Sequence, residues 1–363
     1  MIEGAHGGDI YRRRSLPQGK RLLDFSANTN FLGMPEEVCR AIVDNMDQYC
    51  AYPDPFCREL REALSLHHGI PEEHFYCGNG AADLIFRMAL AVSPPVALVT
   101  APAFSEYEQA LRLAGAHVRH HMLDPKKEYV PDHTLLDAVD SSTRMVFLCN
   151  PNNPTGVAVP REQVLGLAAA CRKNNTLLVV DECFIDFLEE PDKYSVEDST
   201  GEYPNLVILK AFTKIYAMAG LRLGYMICSD RSLLERVAGA GQPWTVSTVA
   251  AKAGVAALGC RDYVKRSRTL VLENRKELER GLRELGFIVI PSQANYLIFQ
   301  SGDSELDRKL EAQGILIRNC TTFRNIPRGY FRIAVRSAED NRILLEELKK
   351  HSGQRSPGEM DVQ

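Results

Sequence analysis

Residues 209–225 read LKAFTKIYAMAGLRLGY and contain the side chains of this sequence that could do covalent chemistry. Lys214 lies in an apolar run, directly after the hydroxyl of Thr213 and shortly before Arg222. Burial disfavours the charged form of an amine, so a desolvated Lys214 can hold its amine neutral. A neutral lysine amine can form a Schiff base with a carbonyl compound. Taken alone, Lys214 could also be a surface lysine at a strand end that keeps its charge in water.

Two further polar stretches follow apolar segments. Asp181 ends the apolar run 177–180, and Asn153 lies in the proline-rich turn 150–156. Ligands of parallel sheets bind at the carboxyl ends of the strands, where an acid is placed for chemistry. An acid there could pair with a protonated pyridine nitrogen, and the alternative is a helix cap or a surface acid. The turn 78–83 before a predicted helix is a possible phosphate site, because free N–H groups converge there.

The pattern of elements predicts how these residues are positioned. From about residue 75, apolar strands alternate with amphipathic helices, which predicts a mostly parallel sheet covered by helices on both faces. A helix from about Pro35 to Tyr49 precedes the sheet, and a long helix from about Asp262 to Leu285 follows it. We expect the charged face of the long helix, which includes Arg275, to be solvated. The remainder predicts a small α+β unit. We expect an N-terminal segment over the active site (1–30), a large domain (31–260) and a small C-terminal domain (261–363).

Composition narrows the class of partner. The formal net charge of −4 offers no basic field for nucleic acid or anionic lipid, so small metabolites are the expected partners. The ten cysteines include no C-x-x-C pair, and the first residues carry no export signal, which favours a reducing cytoplasm. No apolar stretch approaches the roughly 20 residues that span a bilayer, so no membrane association is expected. Strand alternation separates His117, His120 and His121, so we predict no metal site.

Four elements occur together and in order: Asn153 before Pro-Thr-Gly, Asp181 after a buried strand, Thr213-Lys214, and Gly220-Leu221-Arg222. In this the chain resembles the fold-type I pyridoxal-phosphate enzymes of the class I/II aminotransferase superfamily, over nearly its whole length. The resemblance implies the α/β fold of PLP-dependent transferases of type I, with pyridoxal 5'-phosphate as cofactor. It also implies a homodimer with shared active sites.

The resemblance further implies a role for each matching residue. Lys214 would hold the cofactor covalently, Asp181 would pair with its ring nitrogen, and Asn153 would donate to its 3-oxygen. Phe104 would stack on the ring. Its phosphate would be held by Ala81, Ala82, Thr213 and Arg222, with Tyr52 reaching in from the partner subunit. The substrate would be bound by His6, Gly7, Gly8, Asn28, Arg318 and Arg332. Ala211 departs from the many relatives that place Ser or Thr there.

Two branches of the superfamily compete. Histidinol-phosphate aminotransferases share N-N-P-T-G, D-E and G-L-R-x-G but usually carry tyrosine three residues after the aspartate, where this chain has Phe184. The threonine-phosphate decarboxylases are the closer resemblance, through His6-Gly7-Gly8 and residues 24–28, 181–187, 243–244, 315–318 and 332–337. This branch implies decarboxylation of a phosphorylated amino acid, L-threonine O-3-phosphate, in cobalamin biosynthesis. The alternatives are an aminotransferase and a non-catalytic relative that binds an amine metabolite.

Overall fold

The computed structural model describes residues 7–12 and 21–351. Its α-helices are α1 (Glu36–Asp44), α2 (Arg58–His68), α3 (Gly80–Val92), α4 (Ser105–Leu113), α5 (Thr134–Asp137), α6 (Arg161–Lys173), α7 (Phe212–Ile215), α8 (Arg231–Gly239), α9 (Thr248–Gly259), α10 (Arg261–Glu284), α11 (Leu306–Ala312) and α12 (Ala338–Lys349). Its strands are β1 (Leu23–Asp24), β2 (Phe75–Gly78), β3 (Val96–Ala101), β4 (His117–Met122), β5 (Met145–Cys149), β6 (Leu177–Asp181), β7 (Leu206–Ala211), β8 (Gly224–Ile227), β9 (Ile288–Ile290), β10 (Tyr296–Gln300), β11 (Ile315–Leu316), β12 (Arg318–Asn319) and β13 (Tyr330–Ala334).

The central sheet has the strand order β2-β8-β7-β6-β5-β3-β4. Its strands are parallel except β8, which runs antiparallel to both of its neighbours. The register places Cys149 beside Asp181 and Asp181 beside Leu209, so the carboxyl ends of β5, β6 and β7 lie level. The segments that follow these three strands therefore emerge at one edge of the sheet.

Helices cover both faces of this sheet, because successive side chains of a buried strand point to opposite sides. In β5, Val146 and Leu148 belong to the core that contains α2, α6 and α9, whereas Met145 and Phe147 belong to the core that contains α3, α4 and α8. The predicted fold, a mostly parallel sheet between two layers of helices, is confirmed.

The C-terminal part forms an antiparallel sheet of order β12-β13-β10-β9, packed on α10, α11 and α12. The N-terminal strand β1 pairs in parallel with β11, and Phe25 accepts a hydrogen bond from the N–H of Ala334 at 2.8 Å. Residues 21–28 are thus attached to the C-terminal sheet. This attachment places Ser26, Ala27 and Asn28 beside the carboxyl edge of the central sheet.

Two sequence predictions about helices were wrong. The helix expected over 35–49 ends at Asp44, and Asn45 caps it by donating from Nδ2 to the carbonyl of Ala41. Arg275, expected on a solvated face of α10, is buried, and its guanidinium donates to the carbonyls of Gln293 and Ala294. These two carbonyls precede β10, so Arg275 fixes the start of that strand. Among the described helices, none combines the length and apolar character needed to cross a membrane.

Candidate active site

A cavity of about 390 Å³ opens at the carboxyl edge of the central sheet, against the C-terminal sheet. It is lined by Gly7, Ser26, Ala27, Asn28, Ala81, Ala82, Phe104, Ser105, Glu106, Tyr107, Cys149, Asn153, Asp181, Cys183, Phe184, Ala211, Thr213, Lys214, Arg222, Arg318, Phe323 and Arg332. The fold therefore brings together all but three of the site residues predicted from the sequence. Gly8 lies next to the cavity, Tyr52 lies outside it, and His6 falls outside the described residues.

Lys214 projects into this cavity from the short turn of α7, which directly follows β7. The N–H of Asn30 donates to the Lys214 carbonyl at 3.1 Å, which holds the turn in place. The Lys214 amine lies 5.3 Å from the centre of the Phe184 ring. Burial lowers the pKa of Lys214 to about 8, and the cations of Arg332 and Arg222 contribute to this shift. The amine is therefore neutral in an appreciable fraction of molecules near neutral pH.

Asp181 ends β6 at the floor of the cavity, and two donors fix its carboxylate. The hydroxyl of Tyr107 donates to Oδ2 at 2.6 Å, and the N–H of Cys183 donates to Oδ1 at 3.0 Å. Tyr107 is itself held by stacking on Phe147, with 4.9 Å between ring centres. Sequence reasoning missed Tyr107, although its position one helical turn after Phe104 would have placed both rings on one face of α4.

Arg332 joins the N-terminal segment to the proline-rich turn. Its guanidinium donates from Nη1 to Asn153 Oδ1 and from Nη2 to the carbonyl of Ser26, the latter at 2.9 Å. Its buried Nε has no hydrogen-bond partner among the described residues. A buried, unpaired donor is costly, so the guanidinium of Arg332 is not fully satisfied by the described residues that surround it.

Arg318 is the register partner of Arg332 on the adjacent strand, so two guanidinium groups enter the same cavity. Arg318 donates to Thr322 Oγ1 at 2.9 Å and lies 5.5 Å from the centre of the Phe323 ring. Burial lowers the pKa of both arginines, yet a guanidinium stays charged at any physiological pH. Arg336, two residues beyond the end of β13, points elsewhere: its Nε lies 3.3 Å from Asp340.

The opposite end of the cavity contains backbone N–H groups and a third arginine. Ala81 and Ala82 begin α3, where the first N–H groups lack intrahelical acceptors. Strand β8 approaches this end so closely that a Cβ on Gly224 would lie 2.6 Å from the Ala81 nitrogen. Thr213 and Arg222 line the same cavity. The combination of free N–H groups, a hydroxyl and a guanidinium is suited to a phosphate group.

The N-terminal segment closes another side of the cavity. A Cβ on Gly7 would lie 2.0 Å from the carbonyl oxygen of Ser26, so only glycine fits there. The N–H of Gly8 donates to Ser26 Oγ at 2.7 Å. Asn28 lines the cavity with a buried Oδ1 that has no hydrogen-bond partner in the described part of the chain. Asn28 is thus a polar residue of the cavity wall whose amide oxygen is not satisfied by the described residues.

Tyr52 lies on the surface of its own chain, with 82% of the residue exposed. Its ring packs on Trp244, with 4.9 Å between ring centres. Phe56 and Met46 are also exposed in this region of the sequence. Tyr52 does not contribute to the cavity of its own chain, so any role in an active site requires a second subunit.

The sequence model of the family described as aminotransferase class I and II matches residues 20–348. The chain belongs to this family. A class I and II relative, the threonine-phosphate decarboxylase of Salmonella typhimurium (strain LT2), is 36% identical over 96% of this chain and 97% of its own length. The structure of the histidinol-phosphate aminotransferase from Clostridium acetobutylicum has a TM-score of 0.85 and 26% identity, covering 91% of this chain and 98% of that one. The structure of the L-threonine-O-3-phosphate decarboxylase from Porphyromonas gingivalis has a TM-score of 0.82 and 25% identity, covering 91% of this chain and 99% of that one.

Membership of the class I and II aminotransferases confirms the predicted enzyme class and pyridoxal 5'-phosphate as the cofactor. The cavity fits this cofactor on its own chemistry. It offers a lysine amine with a lowered pKa, a fixed carboxylate and a phosphate-binding helix start, all facing one space. One residue from each of the four sequence motifs thus lines the same cavity, namely Asn153, Asp181, Lys214 and Arg222.

Beneath the cavity lies a buried charge network that sequence reasoning missed. Lys210, on β7, contacts Glu197 and lies 3.8 Å from Glu182, the residue after Asp181. Glu182 also accepts hydrogen bonds from Ser195 Oγ and the N–H of Val196. Burial raises the pKa of Glu182 to about 7. This network ties the ends of β6 and β7 together, and these ends carry Asp181 and Lys214.

Replacing Lys210 with methionine removes the cation that compensates the buried carboxylate of Glu182 and the half-buried carboxylate of Glu197. We expect Lys210→Met to lower the free energy of unfolding by about 3–5 kcal/mol, because an uncompensated buried charge remains. Denaturant unfolding measures this. The matched control is Lys193→Met, which breaks an exposed pair with Glu190 and should cost only ~0–1 kcal/mol. Equal losses in the two variants would show that the network does not stabilise the fold.

Proposed function

We propose that this chain catalyses the pyridoxal-phosphate-dependent decarboxylation of L-threonine O-3-phosphate to (R)-1-aminopropan-2-yl phosphate, a reaction of cobalamin biosynthesis. The observation that carries the proposal is the pair of buried guanidinium groups, Arg318 and Arg332, in one cavity. Two cations suit a substrate with two anionic groups, a phosphate and a carboxylate. The 36% identity to the Salmonella decarboxylase over nearly the whole chain supports the same substrate.

Each role in cofactor binding is assigned to a residue of this chain. When bound, the cofactor supplies a protonated pyridine ring that withdraws electrons from Cα of the amino acid. Lys214 would hold the cofactor, Asp181 would keep the ring nitrogen protonated, and Asn153 would donate to the ring's 3-oxygen. Phe104 would stack on the ring. The cofactor phosphate would be bound by Ala81, Ala82, Thr213 and Arg222.

The substrate is oriented by groups on the other side of the cavity. Arg318 and Arg332 would bind its two anionic groups, assisted by Asn28 and by the segment His6-Gly7-Gly8. Fixing both anionic groups fixes which bond at Cα is broken. After carbon dioxide leaves, Lys214 Nζ would return a proton to Cα, because an amine with a pKa of about 8 exchanges protons near neutral pH.

The alternative function is that of a histidinol-phosphate aminotransferase, and the solved structure with a TM-score of 0.85 favours it. Against it stands Phe184, which places a ring without a hydroxyl 5.3 Å from the Lys214 amine. Histidinol phosphate itself carries one anionic group, so in that reaction only the second substrate, the dicarboxylate 2-oxoglutarate, would engage both arginines.

The deciding experiment gives the purified holoenzyme O-phosphothreonine and no keto acid. We expect release of carbon dioxide and formation of aminopropanol phosphate. If the protein stays inert until histidinol phosphate and 2-oxoglutarate are added, and then forms glutamate, it is an aminotransferase. Borohydride reduction of the yellow holoenzyme is a control. It should fix the cofactor covalently on Lys214 whether the enzyme is a decarboxylase or an aminotransferase.

We also propose a cytoplasmic homodimer in which each subunit completes the active site of the other. The exposed Tyr52–Trp244 pair supports this, because a large aromatic surface beside the site is costly to leave in water. We further propose that the chain is divided into an N-terminal segment, a large domain and a small domain, with boundaries after residues 30 and 260. The attachment of β1 to β11 supports a close association of the first and third of these parts.

Tyr52→Phe tests the shared site. If the Tyr52 hydroxyl donates to the cofactor phosphate of the partner subunit, its loss should weaken cofactor binding by about 1.5–3 kcal/mol, the range for a hydrogen bond to a charged group. Dialysis followed by absorbance of the retained cofactor measures this. Tyr11→Phe is a suitable control at an exposed tyrosine that does not line the cavity. A fully active monomer in sedimentation would contradict the proposed dimer.

A further inference from the structure

A second cavity, of about 250 Å³, lies behind the turn that carries Lys214. It is bounded by the end of α2, by α7 and by the first turns of α10, and it is lined by His67, His68, Asp186, Ala211, Phe212, Tyr216, Tyr225, Leu258, Arg261, Val264, Lys265 and Arg268. Residues around α7 divide between the two cavities. Phe212 and Tyr216 line the second cavity, Thr213 and Lys214 line the first, and Ala211 borders both.

One wall of the second cavity is basic. Arg261, Lys265 and Arg268 recur at the spacing i, i+4, i+7 and therefore share one face of α10. Within residues 7–12 and 21–351, no carboxylate lies within 4.0 Å of any of these three cations. Farther along the same helix, Arg280 and Arg283 are paired with glutamates. The start of α10 thus presents positive charge that the described protein does not compensate.

Other residues of the lining supply a hydroxyl and a carboxylate. Tyr216 is only 7% exposed, and its hydroxyl has no hydrogen-bond partner among the residues that the structure describes. Burial raises the pKa of this phenol, which therefore stays protonated and can donate. The carboxylate of Asp186 likewise has no cation within 4.0 Å in the described chain, although its backbone carbonyl accepts from Arg268 Nε at 3.2 Å.

We propose that the second cavity binds a small zwitterion that carries a phosphate group at one end and an ammonium group at the other. The phosphate would lie against Arg261 and Lys265 and accept from the Tyr216 hydroxyl, and the ammonium group would lie against Asp186. The volume is below the roughly 300–1,000 Å³ of pockets for drug-sized ligands, which fits a molecule of metabolite size. A ligand there would contact Phe212 and Tyr216 on the reverse side of the Lys214 turn. This inference does not depend on the proposed decarboxylase activity.

The first test titrates O-phosphoethanolamine into the holoenzyme by calorimetry. The active-site arginines bind the same probe, so the comparison rests on variants of the second cavity. Arg261→Glu/Lys265→Glu reverses two exposed charges, and Arg266→Glu is the control, because Arg266 is an exposed cation of the same helix that does not line the cavity. Wild type and Arg266→Glu should each bind one more equivalent of O-phosphoethanolamine than the double variant binds. If the double variant still binds that equivalent, its affinity should be at least tenfold weaker. Equal binding by all three proteins, or binding by none, overturns the proposal.

The second test separates the two ends of the ligand. Asp186→Asn should weaken binding of O-phosphoethanolamine to the second cavity at least fivefold while leaving inorganic phosphate unchanged, because only the former has an ammonium group. If Asp186→Asn weakens both probes equally, or neither, the zwitterionic class is wrong. Thermal unfolding of each variant, which should stay close to wild type, verifies that the fold is intact.

Discussion

Lys214→Ala is expected to abolish turnover while leaving the protein folded. The variant loses the amine that would hold the cofactor and also the group that would move a proton at the substrate's Cα. Proton transfer alone contributes ~10²–10⁴-fold to a rate, and loss of the covalent step adds to this. The cofactor can still be retained through its phosphate, because Ala81, Ala82, Thr213 and Arg222 are unchanged.

The measurement is steady-state release of carbon dioxide from O-phosphothreonine, with cofactor content determined by absorbance. Lys193→Ala serves as control, since Lys193 is an exposed lysine that pairs with Glu190. Activity of Lys214→Ala near that of the control would remove Lys214 from the mechanism and with it the assignment of the cavity.

Arg332→Ala is expected to lower kcat/KM for O-phosphothreonine by about 2–5 kcal/mol, the range for truncating one partner of a buried charged pair. The guanidinium is buried and lines the cavity, so a substrate anion that reaches it would gain a strong, desolvated hydrogen bond. Arg318→Ala should have an effect in the same range, since Arg318 occupies the adjacent strand in register.

The control for both is Arg336→Ala, which removes an arginine two residues beyond the end of β13 whose contacts are Asp340 and the carbonyl of Asp24. It should change stability but leave kcat/KM close to wild type. A loss of kcat/KM in Arg336→Ala as large as that in Arg332→Ala would indicate a general structural effect and contradict the assignment of the anion-binding pair.

The sequence predicted those parts of the site that depend on strand ends. Asp181 follows an apolar run and must emerge at the carboxyl edge of a parallel sheet, and Lys214 follows the neighbouring strand. Arg318 and Arg332 were expected to bind the substrate together, and the observed register pairs them on adjacent strands. The placement of Asp181 and Lys214 needed only local pattern and the geometry common to parallel sheets, whereas the role of the two arginines came from the family resemblance.

Contacts between distant segments could not be predicted in this way. The Tyr107–Asp181 hydrogen bond joins residues 74 positions apart, and the Lys210–Glu182 contact joins β7 to the residue that follows β6. Arg275 has the charge of a surface residue, and its burial is explained only by two carbonyls of a later loop. In each case tertiary structure supplies a partner that overrides the preference of the residue type.

The attachment of the N-terminal segment to the C-terminal sheet determines when the active site can form during translation. Arg332 donates to the carbonyl of Ser26 across 306 positions of sequence. At ~5–20 residues per second, roughly 15–60 s of translation separate the emergence of these two partners from the ribosome. During that interval the segment around Ser26 is without its final neighbours, and the central sheet is complete in sequence only after residue 227 has emerged. Nascent chains that stop before residue 332 should therefore be inactive, even when their parallel sheet has formed.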